Sequence, residues 1–144
     1  MLRLFCAVYA ALLLGFCCTQ VSAQNKLENY AILGHSETTV FLADIKDAKT
    51  SPGGNIEFSS AIGRIDSVDK AHKQIVVDPD NLFFINVVAN CFSYKYHVTN
   101  EHGVINGQPF NDDKKDADSV PDEQSPIYHI IAAVCTAKLG ERAE

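Results

Sequence analysis

The sequence has no cluster of basic residues. Lysine and arginine total 12 against 18 aspartates and glutamates, a formal net charge of −6. Nucleic acid and anionic lipid both require a positive patch, so neither is an expected partner. No apolar run is long enough for a permanent membrane helix, which needs about 20 residues. No internal repeat, low-complexity run or proline-rich linker divides the chain, so one domain is expected. There is no serine in a glycine elbow, no phosphate loop and no metalloprotease helix motif, so the familiar hydrolase and nucleotide signatures are missing. No cofactor motif is present.

What is there begins with an export signature. Arg3 is followed by the almost wholly apolar stretch Leu4 to Phe16, and then by Val21-Ser22-Ala23-Gln24. This order reads as a signal peptide over residues 1–23, cleaved after Ala23. A lipid anchor would use Cys17 or Cys18, but Phe16 precedes the first and Cys17 the second, so neither follows a small residue. The mature part, residues 24–144, then holds 11 basic and 18 acidic residues, a net charge of −7. The expected location is outside the cytoplasm: periplasmic, secreted or on the cell surface.

Two cysteines remain in the mature part, Cys91 and Cys135. In an oxidising compartment an even pair reads as a disulfide. Closing the loop between them would stabilise the fold by roughly 4 kcal/mol in the chain-entropy model.

Strands are expected at Tyr30 to Leu33, Thr38 to Ile45 and Asn55 to Asp66, with Ser51-Pro52-Gly53-Gly54 turning the chain between the last two. Ala71 to Asp78 holds Ile75-Val76-Val77, and Asp78-Pro79-Asp80-Asn81 reads as another turn. Leu82 to Thr99 is too long for one straight strand. Phe83, Ile85, Val87, Ala89 and Cys91 alternate on one face, whereas Phe92, Tyr94, Tyr96 and Val98 fall on the other. A bulge near Asn90 to Phe92 would return both sets to one side. Asn100-Glu101-His102-Gly103 reads as a hairpin turn, and Gly107 to Asp122 as a solvated loop. Ser125 to Leu139 predicts a helix, capped by Ser125, with Pro126 in its first turn and Gly140 at its end. Ile127, Ile130, Ile131, Val134, Cys135 and Leu139 form its apolar stripe. The expected fold is therefore α+β, an antiparallel sheet with the C-terminal helix stapled across one face.

The chemistry-bearing residues are sparse. A catalytic Cys91 with His97 or His129 would need a free thiol, which the disulfide removes. His97 and His102 flank the expected hairpin turn and would face one another across it, but they read better as surface histidines than as metal ligands. Asp112, Asp113, Asp116 and Asp118 invite a calcium reading, yet the segment lacks the glycine and terminal glutamate of the hand-type loop. Phe92, Tyr94 and Tyr96 are the better recognition candidates, because aromatic side chains bring large contact area at small entropic cost.

The order of these features resembles the bacterial surface-adhesin protein E family. The resemblance rests on Phe41-Leu42-Ala43-Asp44-Ile45, Asn90-Cys91 with Tyr94 and Tyr96, Gly103-Val104, Pro121, Ser125-Pro126 and Ala133-Val134-Cys135. It implies about six antiparallel strands, a helix tethered by the Cys91–Cys135 bond, and a dimer. It also implies surface attachment and binding of host extracellular-matrix or plasma proteins. Tyr30 stands where family members tend to have tryptophan, and Asn90 where they have aspartate. Beside this adhesin reading stands a periplasmic inhibitor or accessory module, inserting a protruding loop such as Gly107 to Asp122 into an envelope enzyme. A small hydrolase built on His97 or His129 would instead require a pocket joining the histidine to an aspartate.

Overall fold

The computed structural model describes residues 26–71, 73–114 and 116–140; the expected leader lies outside the described residues. Among the described residues seven strands form one antiparallel sheet: β1 (Ala31–His35), β2 (Thr39–Ala43), β3 (Lys49–Ser51), β4 (Asn55–Asp69), β5 (Gln74–Asn90), β6 (Tyr96–Ile105) and β7 (Gln108–Asp113). Their spatial order is β1-β2-β4-β5-β6-β7, with β3 paired to the start of β4. The helix α1 (Pro126–Gly140) follows. Among the described residues no helix is long and apolar enough to cross a membrane.

The helix begins as its sequence dictates. The Ser125 Oγ accepts from the N–H of Tyr128 at 3.4 Å and donates to the Asp122 carbonyl at 2.6 Å, satisfying an orphan donor of the first turn. Ile130, Ile131, Val134 and Cys135 are buried. They meet Ala43 of β2, Ile56 and Phe58 of β4, and Val87 and Ala89 of β5 in the main core. Leu139, expected in the stripe, lies on the exposed side instead. From the helix, Ile127, Ile130, Ile131, Val134 and Cys135 join the main core, whereas Leu139, one turn further on, does not.

The sheet's other face carries a second core of Val40, Leu42, Ala61, Leu82 and Phe84, against which Leu27, Tyr30, Ile65, Ile75 and Val77 pack. The Tyr30 hydroxyl donates to the Ser59 Oγ at 2.7 Å, and its ring meets Phe84 edge-on. Burial, opposed by the Ser59 hydrogen bond, raises the Tyr30 pKa.

Two expected turns and one expected bulge are placed differently. Asp78-Pro79-Asp80-Asn81 does not reverse the chain. Val77 pairs with Ile65 and Leu82 with Gly63, so the four intervening residues bulge out of β5. The reversal expected at Asn100 to Gly103 is straight β6 strand; the hairpin turns at Asn106-Gly107, whose φ values are 50° and 75°. Positive φ at both central residues is what a primed turn requires, and Asn-Gly meets it best. Gly103 has a different duty. A Cβ there would stand 2.5 Å from the Leu82 carbonyl and the Phe83 Cα, and without one the rings of Phe83 and Phe110 approach across β6 to 6.3 Å.

The third concerns Asn90 to Phe92. There is no bulge there but a full reversal between β5 and β6. A bulge does occur further on: Val87 pairs with Val98 and Asn86 with Asn100, leaving Thr99 extra in β6. The reversal brings Tyr94, Tyr96 and Val98 back against the helix-side core, with Val98 opposite Val87 and Tyr96 opposite Ala89. The expected regrouping is thus achieved for Tyr94, Tyr96 and Val98 by a different device, but not for Phe92, which stays 73 % exposed.

Candidate functional site

The reversal joining β5 to β6 is the most heavily tied short segment of the chain. It starts with Asn90, whose side chain fills every hydrogen-bonding role it has. Its Oδ1 accepts from the N–H groups of Phe92 and Ser93, both at 3.0 Å, and from the Ser93 hydroxyl at 3.2 Å. Its Nδ2 donates to the Gly53 carbonyl at 2.9 Å and to the Asn55 Oδ1 at 3.0 Å. This is the local side-chain-to-backbone turn that asparagine favours, extended into a bridge to a second loop. Backbone bonds add to it: Cys91 N–H to the Gly54 carbonyl, Tyr94 N–H to the Asn90 carbonyl, and Asn90 N–H to the Lys95 carbonyl, each at 2.8 Å.

Covalent and aromatic ties complete the lock. Cys91 is bonded to Cys135 of α1, with the Cα atoms 5.6 Å apart. Tyr94 takes a left-handed φ of 57°, which is unfavourable for a side chain of its size. Its ring is stacked on Tyr128 of α1, with centroids 4.9 Å apart and planes 17° apart.

Out of this frame projects Phe92, 73 % exposed. Its ring edge rests on Gly54, where φ is 79° and where a Cβ would collide with the ring. One edge of the phenyl ring is therefore braced while most of its surface faces solvent. Of the three aromatic candidates, Phe92 is displayed, whereas Tyr94 and Tyr96 are half-buried and pack on the core. The exposed phenylalanine and the two packed tyrosines share one rigid structure with different duties. Composition alone does not reveal the part played by Asn90 or Tyr128; the Asn-x-Phe-Ser order is the signal that points to the turn.

Among the described residues the histidines do not converge. His97 and His102 lie on the same strand, so they cannot meet across a hairpin. The His97 Nδ1 lies 2.8 Å from the Asp118 Oδ1 at the surface. The His102 Nδ1 bonds the Asn100 Oδ1 at 2.7 Å, and its ring stacks on Phe84. His129 lines a cavity of about 240 Å³ with Leu33, Gly34, Phe41, Gln124, Pro126 and Ile130, a set without a carboxylate. Among the described residues no three His, Cys, Asp or Glu side chains gather as metal ligands. The segment read as a solvated loop is largely structured: Gln108–Asp113 form β7 along β6, and beyond it Lys114 N–H bonds Thr99 while Ser119 and Tyr96 exchange two backbone hydrogen bonds.

Comparison with protein family models, with curated proteins and with solved structures finds no match to the chain.

Proposed function

We propose that the mature chain is an exported, non-catalytic binding protein of the surface-adhesin type, and that it grips a protein partner with Phe92. The observation that carries this reading is a large apolar ring left 73 % exposed on a turn fixed by a disulfide, an asparagine bridge and a tyrosine stack. Aromatic anchors dominate interface energetics. A ring already held in place gives up little conformational entropy when a partner covers it. The disulfide suits a protein working outside the cytoplasm, where the resemblance puts host matrix and plasma proteins within reach. The inhibitor reading draws less support. Its inserting loop would be Gly107 to Asp122, and the first part of that segment, Gln108–Asp113, is bonded along β6 rather than projecting, with Ser119 tied back to Tyr96.

The test is a capture experiment with the mature protein and its Phe92→Ala variant, against host matrix and plasma proteins and against an envelope extract. Saturable capture of a matrix or plasma protein, lost in the variant, is the expected result. Capture of an envelope enzyme alone would remove the adhesin reading. Equal capture by both proteins would remove Phe92 as the anchor.

A further inference from the structure

A second site lies away from the Phe92 turn. On the face of the sheet that bears α1, Ile62 of β4, Phe83 of β5 and Ile105 of β6 line a groove of about 280 Å³. Thr38, Thr39, Asn81 and Arg64 stand around it. Ile105 is 45 % exposed, a large aliphatic side chain left open to water. The volume sits near the lower edge of small-molecule sites. At about 30 Å³ per water-sized group it takes about nine such groups.

Arg64 is the one charged side chain among the lining residues. Its Nη2 lies 3.1 Å from the Asp78 Oδ2, while its side chain remains 61 % exposed against 13 % for that of Asp78. The carboxylate does not depend on the arginine for its place. Its Oδ1 accepts from the Asp80 N–H at 2.9 Å and its Oδ2 from the Asn81 Nδ2 at 3.0 Å. The Asn81 Oδ1 in turn accepts from the Asn106 N–H at 3.0 Å. A guanidinium has five N–H donors, and a single ion pair leaves most of Arg64's donors for another anion.

We infer that this groove binds an amphipathic carboxylate, a fatty acid of about eight to ten carbons, with its chain on Ile62, Phe83 and Ile105 and its head group on Arg64. In a chain of net charge −6 an arginine beside an apolar floor supplies the complement to such a head group. Asp78 limits affinity, because it shares the same guanidinium.

The probes are octanoate, octanol and octylamine, titrated into the mature protein and followed by amide chemical shifts. Octanoate is expected to give saturable shifts at Thr39, Ile62, Phe83 and Ile105. Arg64→Gln is expected to weaken octanoate about tenfold and to leave octanol nearly unchanged. Asp78→Asn is expected to tighten octanoate severalfold, and Ile105→Glu, at an exposed position, to abolish its binding. Octylamine or octanol binding as well as octanoate would overturn the inference, as would shifts without saturation or an Arg64→Gln variant equal to wild type. Phe92→Ala is expected to bind octanoate normally, which separates this site from the partner-binding turn.

Discussion

Replacing both Cys91 and Cys135 by alanine removes the covalent tie between the β5–β6 reversal and α1, and its consequence can be worked out from the structure. The cysteines are 44 residues apart in sequence. The chain-entropy relation for a loop of that size gives about 4 kcal/mol lost. Against a total stability of about 5 to 15 kcal/mol for a domain this is a large share, and it corresponds to a fall in Tm of about 15 °C for a domain of this length. Cys135 is also buried beside Val134 in the main core, so loss of its sulfur adds a small packing term in the same direction. The turn itself should survive, because Asn90 bridges to Gly53 and Asn55 without help from sulfur. Thermal and urea unfolding of wild type and double variant, with amide spectra of both, measure the two effects. A Tm within about 3 °C of wild type would refute the stapling role, and a collapsed set of resonances for residues 90–95 would refute the independence of the turn.

Other outcomes follow from single contacts. Gly103→Ala puts a Cβ 2.5 Å from β5 backbone at a φ of 151°, and should reduce stability by about 2 to 4 kcal/mol in urea unfolding; a loss under about 1 kcal/mol would contradict the close approach. Phe92→Ala, at a surface position, should leave stability within about 0.5 kcal/mol of wild type, so any loss of partner capture is a loss of contact rather than of fold. The Asp78 pKa is held low, first by its hydrogen bond from Asn81, then by the Asp80 N–H, with Arg64 adding to both. Its stabilising contribution is therefore present above the ordinary carboxylate pKa and lost as pH falls through the lower folded value. Carboxyl resonances followed through an acid titration should place Asp78 below the ordinary aspartate midpoint; a midpoint at or above that value would contradict the assignment.

Much of the fold is written in local pattern. Thr39–Ala43 and Asn55–Asp69 are strands because their β-branched and apolar residues alternate, and Pro126–Gly140 is a helix because Ser125, Pro126 and Gly140 punctuate a 3.6-residue stripe. The disulfide is legible from the two cysteines that remain once the expected leader is set aside. The reversal after Asn90 is not. It holds no glycine or proline, and its left-handed position is filled by Tyr94, kept there by the stack on Tyr128, 34 residues away in sequence. Gly103 read as a turn residue because glycine signals turns, although here it serves a close approach between strands. Asn106-Gly107 is the stronger turn signal, since both residues tolerate the positive φ that the turn needs. The candidate site is half legible: Phe92, Tyr94 and Tyr96 stand together in the sequence, but which of them is displayed depends on the reversal after Asn90 and on the Gly54 contact, both properties of the folded chain rather than of composition.

Backbone order parameters from ¹⁵N relaxation across residues 90–95 test most directly whether a rigid turn presents Phe92. The locked turn predicts values near 0.85, like those of rigid backbone. Values below about 0.6 at Phe92 and Ser93 would mean a mobile tip, and preorganised recognition would be excluded.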